Sequence, residues 1–392
     1  MSIKRKKRNY STDKVILFFT IFMAIFGAIM IFDASVYKAN TSFGDSFYFL
    51  KSQIKWIALG TIPAIIMYYW DYRKLLKLSL PILISVILLL ILVLLLGEEI
   101  NGARRWFSIG SLPQIQPAEF AKLSIILYLA SWISRHKYFK EEGSIDFKKT
   151  FLPVLIGFGA IVGIVSLLIV FERDLGTTLI IAITSFALFF IGREDRNHAK
   201  YVILTLIGGF LPLVAFAAII EPYRLARVST YLHLLLTGEV ANARESGYQI
   251  HQILIGIGSG GLLGKGFGQS RQRFGYLVEN TAFTDSIFAV ILEELGFLGG
   301  TILVLAWVFF LWRGFKIAQN APDRAGKLLA IGITVWITLQ ALMNMAANIG
   351  LIPLTGIPAP LLSYGGSSTI VTLIGIGILL NISKYTIKEN GR

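Results

Sequence analysis

Not one of the 392 residues is a cysteine. A disulfide framework and a thiolate metal site are both excluded. Histidine is scarce: His136, His198, His233 and His251 lie far apart, and none forms an H-x-x-x-H pair. That spacing gives a histidine metal site little support. Sustained alternation of apolar and polar residues is also missing, which speaks against a membrane β-barrel.

What the chain has instead is apolar length. Hydrophobic residues make up 55% of it and the mean hydropathy is +0.68, against about 45–50% apolar residues in a soluble domain. Runs of about 20 apolar residues recur from end to end, so the expected fold is all-α and polytopic. The expected spans are about 15–36, 49–69, 78–97, 117–134, 151–171, 175–192, 201–220, 285–310, 328–347 and 365–383. The basic start "MSIKRKKRNYSTDK" precedes an apolar run, Val15 to Phe32, longer than a signal peptide's core of about 7–15 residues. It is read as a retained first span after a basic tail, 1–14.

A net charge of +14 would suggest nucleic acid in a soluble protein. Here 24 of the 37 Lys and Arg fall in the tails and loops of one side. The positive-inside rule explains this without nucleic acid, and it places both termini, including the tail 384–392, in the cytoplasm. The segment 222–284 is then one large external loop between spans seven and eight. Within it, "STYLHLLLTG" has the pattern of an amphipathic helix lying at the interface. "GIGSGGLLGKGFGQS" matches G-x-G-x-x-G at Gly256, Gly258 and Gly261, but no strand precedes it. A Walker loop fails as well, because Ser259 stands in place of the first Gly and Gly266 follows Lys265. Tight turns and close packing account for these glycines.

Polar residues at membrane depth carry the functional signal. "TAFTDSIFAVILEELGFLGG" places Asp285 at the mouth of span eight and Glu293 and Glu294 in its middle. Each such charge costs about 2.5–3.5 kcal/mol even on the lenient insertion scale. Glu119 and Lys122, three apart, share a helix face in span four, as an ion pair or as the wall of a polar cavity. Arg173 and Asp174 sit in the tight turn between spans five and six, as a salt-bridged turn or as site residues. Arg104 and Arg105 adjoin Trp106, as interfacial anchors or as ligands of an anion. Ser367 and Ser368 open span ten after a loop broken by prolines and glycines, with N-capping as the simpler role. Asp285 is either a helix cap or a base. Five basic residues on its side of the membrane (Arg104, Arg105, Lys122, Arg173 and Lys265) favour a base beside an anionic substrate.

These stretches resemble one family. "GARRWFSIG…QPAEFAKL", "FERDLGTT", "GSGGLLGKGFGQSRQRFGYL", "TDSIFAVILEELGF" and "NIGLIPLTGIPAPLLSYGGSS" are similar, in order and over nearly the whole chain, to the SEDS proteins of shape, elongation, division and sporulation. "GFGQSRQRFGYL" is more similar to the division member, FtsW, than to the elongation member, RodA. The resemblance implies a peptidoglycan glycosyltransferase of the bacterial inner membrane. It would polymerise lipid II beside a class B penicillin-binding protein and other divisome or elongasome membrane proteins. The family's essential aspartate, in H-T-D-F-I-F, corresponds to Asp285, the general base. Its P-S-E-x-A-K-L corresponds to Glu119 and Lys122, and its S-Y-G-G-S-S to Ser367 and Ser368. With Arg104, Arg105, Arg173, Asp174, Lys265 and Gln269, these would form the substrate site. No cofactor is called for, though a divalent cation, Mg or Mn, could assist the pyrophosphate. Three positions depart from the pattern: Phe283 replaces the usual His, Arg173 the usual Pro, and Glu279 stands six residues before Asp285 instead of four. A lipid II flippase is the rival function; it would need the same headgroup contacts but no external base.

Overall fold

Aspartates mark where several of the helices begin. Asp13 accepts hydrogen bonds from Val15 N and Ile16 N, and so starts α1 (Lys14–Phe43), which ends on Gly44 with φ 65°. Both are ordinary devices for satisfying the unpaired backbone groups of a helix end. The computed structural model describes residues 12–100, 102–107, 114–140, 145–212, 222–244, 247–274 and 281–385. Most of the two terminal tails, residues 213–220 of the expected seventh span, and Glu279 lie outside them.

After α1 come α2 (Tyr48–Tyr69), α3 (Ser79–Leu96), a small antiparallel hairpin of β1 (Glu98–Ile100) and β2 (Ala103–Trp106), and α4 (Pro117–Arg135). Then follow α5 (Leu152–Phe171), α6 (Leu175–Ile191), α7 (Arg196–Thr205), α8 (Pro222–Thr237) and α9 (Tyr248–Gly260). The chain closes with α10 (Ile287–Gln319), α11 (Arg324–Asn348) and α12 (Gly366–Lys384). Six helical stretches among the described residues are long and apolar enough to cross a membrane. The protein is an all-α, multi-pass membrane protein, with the β1–β2 hairpin as a local addition.

Most of α4 is buried, and so are the last two helices. About four-fifths of their apolar windows are buried, 78% in α11 and 83% in α12, against 33% or less in the other candidate spans. The outer helices turn Phe18, Phe22, Leu95, Leu96, Phe171 and Ile302 outward, which suits lipid. Small residues set the closest approach. Gly377 lies against the Ala64 backbone, so α2 and α12 approach backbone to backbone there, and Gly366 makes room for the Trp56 ring between them. On the face read as cytoplasmic, Asp323 caps α11 through Gly326 N at 2.8 Å. It also accepts from the Tyr72 hydroxyl at 2.6 Å and Arg73 Nε at 2.9 Å.

The segment expected as one external loop, 222–284, is not a surface loop throughout. Helix α9 runs alongside the first half of α10: Gln249 Nε2 meets Ser286 Oγ at 3.3 Å, and Gly260 packs on Leu292 and Glu293. The chain then turns and comes back, with Gln272 against Gly256. This re-entrant hairpin is possible because α10 is broken at Gly296, whose φ of 68° and ψ of −172° are non-helical. The break frees backbone groups, and the hairpin satisfies them. Lys265 N and Gly266 N donate to Glu293 O and Glu294 O at 3.0 Å, and Phe297 N donates to Gly261 O at 2.9 Å. Irregular backbone at this depth is tolerated where protein covers it. A side chain on Gly264 or Gly296 would collide with the opposite backbone.

That hairpin also accounts for two of the three carboxylates. Glu293 accepts from Ser259 Oγ at 3.1 Å, Lys265 Nζ at 2.7 Å and Ser270 Oγ at 2.7 Å. Glu294 accepts from Ser270 N at 3.1 Å. Nearby, Arg273 donates to Asp33 of α1 at 2.6 Å. These acids fasten the hairpin to α10 and α1.

Candidate active site

Asp285 is elsewhere. A 3-10 turn, Thr281–Phe283, is closed by Thr284 N donating to Thr281 O at 3.2 Å; Ser286 N also donates to Thr281 O, at 2.8 Å, and the turn keeps Asp285 out of the α10 register. The carboxylate does not cap α10: Ser286 is the N-cap residue and makes no side-chain cap bond. Instead Asp285 lines a cavity of about 840 Å³. Four segments build the wall. Helix α2 presents Tyr48, Ser52, Lys55, Trp56 and Leu59, at spacings that share one helical face. The end of β2 and the segment before α4 give Trp106, Gln114 and Gln116; the turn before α10 gives Thr284 and Asp285; the loop before α12 and the first turn of that helix give Gly356, Pro358 and Tyr364 to Ser368.

The segments are tied to one another. Gln116 N donates to Ser367 Oγ at 3.0 Å, and Gln116 Nε2 to Asp174 Oδ2 at 3.2 Å. Tyr364 N donates to Phe283 O at 2.8 Å. Asn344 and Asn348 of α11 both donate to Asp285 O, at 2.7 and 2.9 Å. Thr284 Oγ1 donates to Asp285 Oδ1 at 3.1 Å. Burial pushes the Asp285 carboxyl above its ordinary value; the Thr284 hydroxyl, its own N–H, the Arg227 charge and Gln249 pull the other way without cancelling it. The residue is half-buried, and the surface it keeps faces the cavity.

Of the expected site residues, the cavity wall gathers Asp285, Ser367 and Ser368. Neither serine caps α12: the N-cap is Gly365, and Ser367 joins α12 to the Gln116 backbone. Glu119 and Lys122 lie behind the wall as a buried pair, 2.8 Å apart, with Lys122 Nζ also donating to Gln340 Oε1 at 2.8 Å. Asp174 caps α6 through Thr177 N at 2.9 Å and reaches the wall through Gln116. The other basic residues do not converge on Asp285. Arg104 lies 3.6 Å from Glu99. Arg105 donates Nε to Glu172 O at 2.8 Å and Nη2 to Arg173 O at 2.5 Å, closing the end of α5. Arg173, exposed at φ 62°, neighbours Gly102 of the hairpin turn. Lys265 is bound to Glu293, and Gln269 follows it in the re-entrant turn. In this structure these cations meet acids or carbonyls of their own neighbourhood, which sequence position alone does not reveal.

The cation on the wall is Lys55, which the sequence reading missed. A lysine inside an apolar span was its signal, since such residues mark polar cavities. Arg227 of α8, whose charge acts on Asp285, donates to Leu354 O at 2.8 Å. Gln340, Asn344 and Asn348 recur every fourth residue along α11, a polar stripe also passed over. Among the described residues no group of three or more His, Cys, Asp or Glu is placed to hold a metal ion. Asp285 is the one carboxylate among the residues lining the cavity. A divalent cation on this wall would have Asp285 as its protein carboxylate and would take its other oxygen ligands from substrate phosphates and water.

Comparison with known proteins agrees with this architecture. The family model for FtsW, RodA and SpoVE, described as cell cycle protein, matches residues 13–388. Stage V sporulation protein E of Bacillus subtilis (strain 168) is 39% identical over 382 residues, covering 97% of this chain and 99% of that protein. A probable peptidoglycan glycosyltransferase FtsW of Thioalkalivibrio sulfidiphilus is 37% identical over 372 residues, covering 93% and 87%. Among solved structures, the crystal structure of Thermus thermophilus RodA superposes with a TM-score of 0.68 at 26% identity, covering 97% and 99%. A chain from a structure of a peptidoglycan synthase complex that coordinates polymerization and crosslinking gives a TM-score of 0.73 at 26% identity, covering 95% and 98%. Matched along all but its ends, on this fold and with this cavity, the chain belongs to the FtsW/RodA/SpoVE family, the SEDS proteins.

Proposed function

We propose that this protein is a peptidoglycan glycosyltransferase that polymerises lipid II, with Asp285 as the general base. One observation carries the reading: the Asp285 carboxylate stands on the wall of a roughly 840 Å³ cavity that also holds a lysine and two serines of α12. That volume lies within the roughly 300–1,000 Å³ of small-molecule sites. The names of the relatives support the same reaction.

The acceptor is a sugar hydroxyl of lipid II. Its proton passes to the Asp285 carboxylate as its oxygen attacks the anomeric carbon of the donor glycan. The bond from that carbon to the pyrophosphate oxygen breaks, and the undecaprenyl pyrophosphate leaves with the electron pair. Lys55 supplies positive charge to the departing group, an electrostatic role that strengthens as negative charge develops. Ser367, Ser368 and Gln116 offer hydrogen-bonding groups to the sugars. Glu119, Lys122, Arg105 and Asp174 act from behind the wall by holding its segments. A class B penicillin-binding protein is the proposed partner, supported by the likeness to a chain of a synthase complex.

The test is purified protein with labelled lipid II and products sized on a gel. The parent is expected to make glycan chains. Asp285→Asn should fold and lose polymerisation by about 10²–10⁴-fold, the usual cost of removing a general base. Movement of lipid II across vesicles without polymer, or near-normal chains from the Asn variant, would favour the flippase instead.

A further inference from the structure

Helix α11 carries Gln340, Asn344 and Asn348 at every fourth position, on one face and buried. Buried amide donors are costly unless bonded, and the side-chain N–H groups of all three reach the two segments that make the cavity, while Asn344 Oδ1 and Asn348 Oδ1 have no partner among the described residues. Asn344 Nδ2 donates to Asp285 O and to Ile357 O, each at 2.7 Å. Asn348 Nδ2 donates to Asp285 O at 2.9 Å. Gln340 Nε2 donates to Pro358 O at 2.9 Å and approaches Ser368 Oγ at 3.5 Å. Gln340 Oε1 accepts from Lys122 Nζ at 2.8 Å and from Trp336 Nε1 at 3.0 Å. The ladder therefore grips backbone carbonyls on both sides of the cavity and is itself anchored on the buried Glu119–Lys122 pair.

We propose that Gln340, Asn344 and Asn348 are positioning residues that set the Asp285 turn against the 357–368 loop, so that base and sugar-binding wall stay in register. The proposal rests on the glycosyltransferase reading for its catalytic consequence and on the geometry alone for its mechanical part. The three side chains do not line the cavity. Each acts through a carbonyl whose segment carries a cavity residue. The Asp285 carbonyl takes two donors from two asparagines, so the backbone beneath the carboxylate is fixed from the side opposite substrate. A misplacement of about 1 Å can cost about 10²-fold in rate.

Two measurements test this. In lipid II polymerisation, Asn344→Leu and Asn348→Leu keep the volume and lose the donors. Gln340→Glu keeps the acceptor for Lys122 and Trp336 while losing the donors to Pro358 and Ser368. Each is expected to lower kcat by about 10- to 100-fold with KM nearly unchanged, the mark of an interaction used in the transition state. Asn344→Asp and Asn348→Asp, which keep shape and polarity, replace any Leu variant that fails to assemble. An unchanged kcat, or a kcat that falls only in step with the melting temperature, would overturn the proposal.

The second measurement needs no activity. The chain has no cysteine, so Asp285→Cys introduces a unique thiol. Its labelling by a small charged thiol reagent is expected to rise about tenfold when Asn344 or Asn348 is also replaced, the size of effect that losing two hydrogen bonds produces. Labelling within about twofold of the single variant would show that the ladder does not hold the turn. If the parent makes no polymer but labelling rises, the glycosyltransferase reading fails while the ladder stands. If the parent polymerises and neither kcat nor labelling moves, the ladder fails alone.

Discussion

Lys265 Nζ lies 2.7 Å from Glu293 Oε1, so a cation read as a substrate ligand is paired with an acid in the first half of α10. The pair joins the re-entrant turn to the broken helix. Removing one partner of a buried pair costs on the order of 3–5 kcal/mol. Lys265 keeps 30% of its side-chain surface, so the loss should fall at or below the lower end of that range. Lys265→Met is expected to lower the thermal unfolding temperature, and Lys265→Met with Glu293→Gln to recover part of it. Strictly additive losses across the four proteins would mean that the two side chains do not act as a pair.

Glu119 and Lys122 are coupled more tightly. Their side chains are 3% and 1% exposed, and neither touches the cavity. Either single change, Glu119→Gln or Lys122→Met, leaves an uncompensated buried charge and is expected to cost on the order of 3–5 kcal/mol. The double change should cost less than either. Activity should follow stability here, since neither side chain lines the cavity and the Lys122 side chain reaches the wall through Gln340. A double variant as stable as the parent but wholly inactive would instead give the pair a direct part in the chemistry.

Asp285 predicts the pH dependence. Burial raises its carboxyl above the ordinary value near 3.9. The base form is present above that raised pKa, so kcat/KM should fall as pH is lowered through an acid limb displaced upward from the usual carboxylate range. A pH–rate profile flat down to about pH 4 would contradict this. The same shift has a stability sign. A folded pKa above the unfolded one gives stability that is present at low pH and lost as pH rises through the folded value. Asp285→Asn should therefore be at least as heat-stable as the parent at neutral pH, which unfolding curves of the two proteins would check.

Lys55 is the cation that lines the cavity. If it meets the pyrophosphate, Lys55→Met should lower kcat/KM for lipid II by about 10- to 100-fold, the worth of one charge-assisted hydrogen bond. Lys55→Arg should keep much of the activity, because a point charge suffices for that role. Turnover against lipid II concentration for both variants is the measurement. A Met variant that behaves like the parent would move the phosphate contact elsewhere, with Arg227 the next residue to change.

The amino-acid sequence alone determined the long apolar helices, because apolar length and helix caps act between residues a few positions apart, but it did not show α9, which lies inside a segment expected as an external loop. It also placed Glu119 and Lys122 on one helix face, since a spacing of three does so whatever surrounds them, and the structure then showed them as an ion pair. Asp285 was legible too, as an acid without local compensation at the mouth of a span. Tertiary structure decided which charges are free. Lys55, Gln116, Asp285 and Ser367 come from four distant segments, and no periodicity along the chain encodes their meeting. The same holds for the cations that are not free. Arg105 meets the Glu172 carbonyl, and Lys265 meets Glu293 after the chain has turned back through the re-entrant hairpin. A buried charge takes its role from its nearest partner, and for these residues the partner is chosen by packing of helices far apart in sequence.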